Sequence, residues 1–407
     1  MKVLLIDVNC KKGSTGNIVY NLYNYINSMG DEASVCYGRG PIINEKNIYK
    51  FGFDLETYLH AFFTRLTGYT GCFSFFSTRR LIKYIKTFKP DVVHIHEMHA
   101  YFLNIKPLIN YLKIEKIPTI MTLHCEFVYT GKCGHSVECN QWKTECKKCP
   151  HLRDYISTFC FDRTNYMFKQ KKNLFNDYTN LYLIVPSHWL FERVRESFLK
   201  GYRIEIINNG VDTNIFKPLE TSDLRKKYGI NKDEKIVLAL APNIMSKEKG
   251  GLYVEKIAQL LRDDNIKFLF VGTNGDGYYK KDNCIYIGRI NDKSILAKHY
   301  SLADLFVICS ERENFPTTCL EAQVCGTPVY GFDTGGVAET CLNYDYLVNY
   351  GDVSLLSKKI KKAPKKNSES ITDLSNIARI KFGNQTFLKK NYQIYKKLII
   401  SLERSQG

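Results

Sequence analysis

No segment constrains this chain more than Asp304 to Glu339. Leu305-Phe-Val-Ile308 is an unbroken apolar run, too short for a helix, and reads as a strand buried on both faces. After a polar loop, Thr317 can cap a helix that carries Leu320, Ala322, Gln323 and Val324. Gly326 and Pro328 end that helix, and Val329 to Phe332 read as a second strand. A strand, a helix and a strand in this order form a crossover, and crossovers build parallel sheets. The fold class expected is therefore α/β.

Two carboxylates belong to this unit. Glu313 falls in the loop and Glu321 lies one turn into the helix, so they do not share a helix face. Between them comes a helix N-terminus, whose oriented N–H groups and dipole suit a phosphate. An acidic residue close by suits a ribose hydroxyl, as in dinucleotide sites. An isolated pair of glutamates would ordinarily be solvated. The neighbouring blocks argue otherwise.

Those blocks resemble the retaining glycosyltransferases of family 4, which have the GT-B architecture. The resemblance rests on Glu313-Asn-Phe-Pro-Thr-Thr-Cys-Leu-Glu321-Ala, Cys325-Gly-Thr-Pro-Val329 and Thr334-Gly-Gly-Val-Ala-Glu339, with Asn209-Gly-Val-Asp-Thr-Asn-Ile-Phe-Lys-Pro218 and Lys249-Gly250. It covers nearly the whole chain and implies two Rossmann-like, doubly wound domains facing across a cleft. It further implies that Glu321 holds the ribose of a nucleotide sugar and Glu313 contacts hydroxyls of the sugar. The backbone of Phe315, Pro316, Thr317 and Thr318 would receive the diphosphate, together with Lys249 and the N-terminal turn at Gly16. His124, just past the strand Pro118-Thr-Ile-Met-Thr-Leu123, stands where the family has a histidine facing the anomeric carbon. One departure is clear: the arginine of the family's diphosphate clamp is replaced by Asn243 or a neighbour, and Lys247 could substitute.

A chain of 407 residues suits two domains of about 200 residues each. Its formal charge of +17, from 58 Lys plus Arg against 41 Asp plus Glu, points to an anionic partner: nucleic acid, an acidic membrane or phosphorylated ligands. No stretch of about 18 apolar residues is present, so no transmembrane helix is expected. Met1-Lys-Val-Leu-Leu-Ile-Asp7 is too short for a secretory signal and reads as a first strand. Fourteen cysteines without such a signal argue for a reducing cytoplasm.

Three features of the first half stand apart. Between Phe53 and Lys89, aromatic residues such as Tyr58, Phe62, Phe63, Phe75 and Phe76 alternate with Arg65, Arg79, Arg80, Lys83 and Lys86. That mixture suits an anionic membrane interface, although amphipathic helices packing on a sheet would show it too. His96 ends the strand Asp91-Val-Val-His-Ile-His96, His99 and Asn104 follow it, and all three are acceptor-side candidates, because ligands bind at strand C-termini in open sheets. Finally, Cys133, Cys139, Cys146 and Cys149 follow one another with gaps of five, six and two residues. In a reducing compartment this matches a structural four-cysteine zinc site, with disulfides or free thiols as alternatives. Residues 129–152 offer only Tyr129, Val137, Trp142 and Leu152 as large apolar side chains besides the cysteines. Such an insertion is expected to be either disordered or cross-linked.

The domains expected are 1–205, carrying the cysteine-rich insertion 125–160 and binding the acceptor, and 206–384, binding the nucleotide sugar. A helix over 385–407, with Leu388, Tyr392, Tyr395 and Ile399 on one face, would return to the first domain. The reaction expected is sugar transfer from a nucleotide diphosphate sugar to an acceptor hydroxyl with retained configuration, catalysed by His124 and Glu313. No catalytic cofactor is expected and a structural zinc is possible. The acceptor would be a lipid-linked saccharide on the cytoplasmic face of a bacterial membrane, in capsule or exopolysaccharide assembly. Two rival readings stand beside it: a nucleic-acid-binding protein with a zinc module, which leaves Glu313 and Glu321 unexplained, and a GT-B phosphorylase using pyridoxal phosphate.

Overall fold

A computed structural model describes residues 1–406, with side chains described through residue 400. The chain divides into two compact units, 1–208 with 388–407, and 209–387.

The first unit runs β1 (Lys2–Asp7), α1 (Gly13–Ser28), β2 (Glu32–Tyr37), β3 (Ile48–Lys50), α2 (Asp54–Thr67), α3 (Phe75–Phe88), β4 (Val92–Ile95), α4 (Ile105–Ile114), β5 (Thr119–Thr122), α5 (Thr164–Phe175), β6 (Leu181–Val185), α6 (His188–Arg195) and β7 (Ile204–Ile206). The strands form one sheet in the order β3-β2-β1-β4-β5-β6-β7, every pair parallel. β1 shows five buried residues in succession instead of alternation, because helices cover both faces of the sheet. Ser187 caps α6 by accepting from the Leu190 N–H at 3.1 Å.

Residues 123–163, between β5 and α5, correct the expectation of a segment without a core. Phe127, Val128, Tyr129, Trp142 and Ile156 are buried in the main core of the unit. Buried polar groups tie down the rest. Lys132 Nζ donates to the carbonyls of Leu152, Asp154 and Ile156 at 3.0, 3.1 and 2.6 Å. Glu126, fully buried, pairs with Arg193 of α6 at 2.6 Å and accepts from Tyr129 and Ser136. Satisfied buried charges thus supply the order that apolar count alone could not.

The second unit contains α7 (Ser222–Tyr228), β8 (Lys235–Leu240), α8 (Gly251–Leu260), β9 (Ile266–Thr273), β10 (Tyr278–Lys281), β11 (Cys284–Gly288), α9 (Lys293–Leu302), β12 (Leu305–Ile308), α10 (Thr317–Val324), β13 (Val329–Phe332), β14 (Leu347–Val348), α11 (Val353–Lys362) and α12 (Ser368–Phe382). Its sheet order is β10-β11-β9-β8-β12-β13-β14, parallel except for the β10–β11 hairpin. The expected crossover is present as β12-α10-β13, but its cap differs. Pro316 occupies the N-cap and Thr317 is the first helical residue, so α10 begins without a side-chain cap. A last helix, α13 (Asn384–Gln406), carries Leu388, Tyr392 and Tyr395 buried, and residues 388–407 belong to the first unit. There the Tyr395 hydroxyl meets His94 Nδ1 at 2.8 Å and the Tyr392 hydroxyl donates to Asp31 at 2.6 Å. Among the described residues no helix is long and apolar enough to cross a membrane.

Candidate active site

Doubly wound sheets bind ligands at strand C-termini where the strand order reverses. In the second unit that point lies between β8 and β12. The loop after β8 ends in Lys249-Gly250, and the loop after β12 carries Glu313. Gly250 has φ +71°, and a Cβ there would sit 2.0 Å from the Cys309 carbonyl oxygen. Only glycine lets these two loops meet backbone to backbone. The Glu311 N–H donates to the Glu248 carbonyl at 2.9 Å, and Lys249 Nζ reaches Glu313 Oε1 at 2.6 Å. From the other side Gly335, at φ +61°, lies so close that a Cβ would sit 2.0 Å from the Glu313 carbonyl oxygen. The Gly336 N–H donates to that same oxygen at 2.9 Å. Lys249 therefore holds the Glu313 carboxylate while the Thr-Gly-Gly block holds its backbone carbonyl.

Glu321, on the first turns of α10, accepts from the Tyr300 hydroxyl at 2.9 Å. Burial pushes its carboxyl up to about 7, against the opposing effects of Tyr300 and Lys293. Phe315 is a core side chain, 6% exposed, so only its backbone can face a ligand. Thr317 and Thr318 are half-buried at the start of α10. Tyr300 went unnoticed in the sequence: it sits on α9, with no local motif to mark it.

This geometry sets a pH dependence. The folded-state pKa of Glu321 is raised, so the protein gives up stability as pH climbs from 4.5, where the unfolded carboxyl ionises, to about 7, where the folded one does. Ribose hydroxyls donate best to the ionised form. Under the ribose role proposed below for Glu321, nucleotide affinity should therefore fall as pH drops from about 8 to about 6, and Glu321→Gln should flatten that component. Calorimetric titrations across this range check it; an unchanged profile in the variant would contradict it.

In the first unit the strand order reverses between β1 and β4. Asp7 ends β1 fully buried; burial, with the charge of Glu97, raises its carboxyl to about 8. Gly16 lies inside α1, where a Cβ would come within 3.1 Å of the Asn9 carbonyl, so it closes the turn tightly. His96 Nδ1 and His124 Nε2 meet at 3.2 Å, and the His94 ring lies tilted against His96 with ring centres 4.0 Å apart. Burial holds all three imidazoles neutral: His94 falls to about 3, His124 to about 4 and His96 well below its usual value. His124 can thus donate or accept a hydrogen bond but brings no charge. His99 is the opposite case. Burial lowers it, but Glu97, 3.1 Å away, lifts it well above the ordinary range. Asn104 is buried, its amide donates to the Cys72 carbonyl at 2.7 Å, and it lines a cavity with Phe75 and Tyr166.

The four cysteines of the insertion are free thiols around one small cavity, which Trp142 also lines. Gly131 N–H donates to Cys146 Sγ at 3.3 Å, and a hydrogen bond from Cys133 helps lower Cys149 to about 7. Their sulfurs are not gathered into one ligand sphere. Among the described residues, the group whose ligand atoms lie within 4.8 Å of one another is Glu97, His99 and Cys125.

Comparison with known proteins agrees with this geometry. The family model described as "Glycosyltransferase Family 4" matches residues 15–215, and that of "Glycosyl transferases group 1" matches residues 220–381. The chain is similar to the putative colanic acid biosynthesis glycosyl transferase WcaC of Escherichia coli K12, 29% identical over 252 residues. That match spans 60% of each of the two proteins. Sucrose-phosphate synthase of Thermosynechococcus elongatus superposes with a TM-score of 0.69 at 16% identity, over 98% of this chain and 99% of that one. HepE of Anabaena, in complex with UDP-glucose, superposes with a TM-score of 0.63 at 15% identity, over 98% of this chain and 100% of that one. With two parallel doubly wound sheets and both family models matching in succession, the chain belongs to the group 1 glycosyltransferases of GT-B fold.

Proposed function

We propose that this protein transfers a sugar from a nucleotide diphosphate sugar to an acceptor hydroxyl, with retention at the anomeric carbon, in bacterial surface polysaccharide assembly. The observation that carries this reading is the Lys249–Glu313 pair at the β8/β12 reversal, flanked by Glu321 and the start of α10. In this reading Glu321 holds the ribose, and Lys249 with the α10 N–H groups receives the diphosphate. Glu313 orients the sugar. The C1–oxygen bond to the phosphate breaks, the acceptor oxygen bonds to C1, and the acceptor proton leaves with the diphosphate. Lys249 and the α10 dipole balance the charge that grows on the leaving group. For His124, which meets His96 at 3.2 Å, this reading keeps a hydrogen-bonding role toward the sugar, and for His99 one toward the acceptor. Group 1 enzymes of this fold generally need no cofactor for catalysis. UDP sugars are the first donors to test, since HepE binds UDP-glucose. Proton NMR of the first-formed product tests retention: the anomeric configuration of the donor should persist, and inversion would overturn that part.

The acceptor is proposed to be lipid-linked, reached from an anionic membrane surface. Leu55, Tyr58, Leu59, Phe62 and Leu66 recur at helical spacing on α2 and are all exposed, as are Phe75 and Phe76 at the start of α3. Arg79 and Lys83 follow on α3. Binding to anionic vesicles should weaken with salt, as basic residues near the surface add about 1 kcal/mol each. Phe62→Glu should weaken it at least about 10-fold, because burying one such ring is worth roughly 1.5–3 kcal/mol. No sedimentation with anionic vesicles at low salt would indicate a water-soluble acceptor.

A structural zinc on Cys133, Cys139, Cys146 and Cys149 is supported by their common cavity and the Gly131 N–H on Cys146. It requires the sulfurs to close in to about 2.3 Å from the metal. Elemental analysis of reduced protein should find zinc that Cys146→Ser releases; freely titratable thiols without zinc would contradict it.

A further inference from the structure

The ends of β4 and β5 bring three unlike metal-binding groups into one corner of the first unit. Glu97 Oε1 lies 3.1 Å from His99 Nε2 and 3.9 Å from Cys125 Sγ. All three ligand atoms fall within 4.8 Å of one another. Around a tetrahedral zinc, with bonds of about 2.0–2.3 Å, neighbouring ligand atoms are roughly 3.3–3.8 Å apart. The Glu97–His99 and Glu97–Cys125 spacings need shifts of only a few tenths of an ångström to meet that geometry.

The surroundings suit the same reading. His99 Nδ1 is engaged by the Tyr155 hydroxyl at 3.0 Å, which leaves Nε2 turned to the carboxylate. The Met98 N–H donates to Glu97 Oε1 at 3.2 Å. Outer partners of this kind orient metal-bound histidines and carboxylates and tune their affinity. Glu97 and Cys125 are 9% and 8% exposed, whereas the His99 side chain keeps 17%, which gives an ion a way in. No residue is shared with the four-cysteine cavity.

We propose that Glu97, His99 and Cys125 form a binding site for a divalent cation of the zinc class, with a fourth position open to water or substrate. The His99–Glu97 ion pair is then the metal-free state of the site. Sulfur and imidazole ligands favour zinc or cobalt over magnesium and calcium, which prefer oxygen. Since His99 and its neighbours His96 and His124 follow the same strand ends, occupancy would fix the loops that the transfer reading assigns to the acceptor side. The metal site itself does not depend on that reading.

Cobalt(II) titrated into reduced, chelator-stripped full-length protein tests it, because thiolate-bound tetrahedral cobalt absorbs strongly in the visible and near ultraviolet. Native protein should bind one equivalent that Cys125→Ser and His99→Ala both lose, with loss of a single-thiolate charge-transfer band. That equivalent should survive in Cys146→Ser, which separates it from the insertion cysteines. Zinc should displace the cobalt and magnesium should not. Glu97→Gln, which keeps the side-chain shape, should weaken binding at least about 10-fold with an unchanged circular dichroism spectrum. Native cobalt stoichiometry and spectrum in Cys125→Ser and Glu97→Gln would overturn the proposal. Nucleotide binding, read separately, reports on the transfer reading.

Discussion

Glu126→Ala should destabilise the first unit by at least about 3 kcal/mol, because removing one partner of a buried ion pair strands the other. Glu126 is fully buried and accepts from Arg193, from the Tyr129 hydroxyl and from both the N–H and hydroxyl of Ser136. The Arg193 side chain is itself only 13% exposed and lies over Trp142 and Trp189 at 4.6 and 5.1 Å. Without Glu126 that guanidinium keeps its burial and loses its counter-charge. Scanning fluorimetry should show the melting temperature of this unit fall by roughly 6–12 °C. An apolar replacement of both partners, Glu126→Leu with Arg193→Met, should recover much of the loss. A single variant that melts within about a degree of the native protein would show the pair to be a bystander.

Lys249→Ala and Glu321→Ala should each weaken nucleotide diphosphate binding by about 10- to 100-fold, since a charged hydrogen bond is worth roughly 1.5–3 kcal/mol. Glu313→Ala should behave differently. Glu313 holds Lys249 at 2.6 Å, so under the proposed donor site a diphosphate must compete with it for the ammonium group. Removing Glu313 releases Lys249, and affinity for UDP or GDP should be kept or improved while turnover falls. A parallel loss of nucleotide affinity in Glu313→Ala would mean that the carboxylate itself faces the nucleotide.

How far the sequence reaches can be judged from particular residues. The β12-α10-β13 crossover was legible because its punctuation is local: a four-residue apolar run, Gly326, Pro328, then another apolar run. What could not be read depends on partners far along the chain. Arg193 reaches back 67 residues to Glu126, and Tyr395 reaches 301 residues to His94. Neither pairing leaves a trace in local spacing. β2 and β3 were missed because Glu32–Tyr37 mixes small and polar residues, and its burial comes from its place inside the sheet. The insertion misled for a related reason. Its order comes from charged side chains buried with partners, and composition alone counts a lysine such as Lys132 as surface. The site shows the same division. Lys249, Glu313 and Glu321 are proposed from their blocks. Tyr300, the Lys249–Glu313 contact and the Glu97–His99–Cys125 corner needed the fold.

The central claim is that the β8/β12 reversal of the second unit binds a nucleotide diphosphate sugar. Calorimetric titration of the full-length protein with a panel of UDP, GDP and ADP sugars tests it most directly. The expected result is saturable binding of at least one nucleotide class, weakened in Lys249→Ala and in Glu321→Ala. Absence of binding by every member of the panel, or native affinity in both variants, would contradict it.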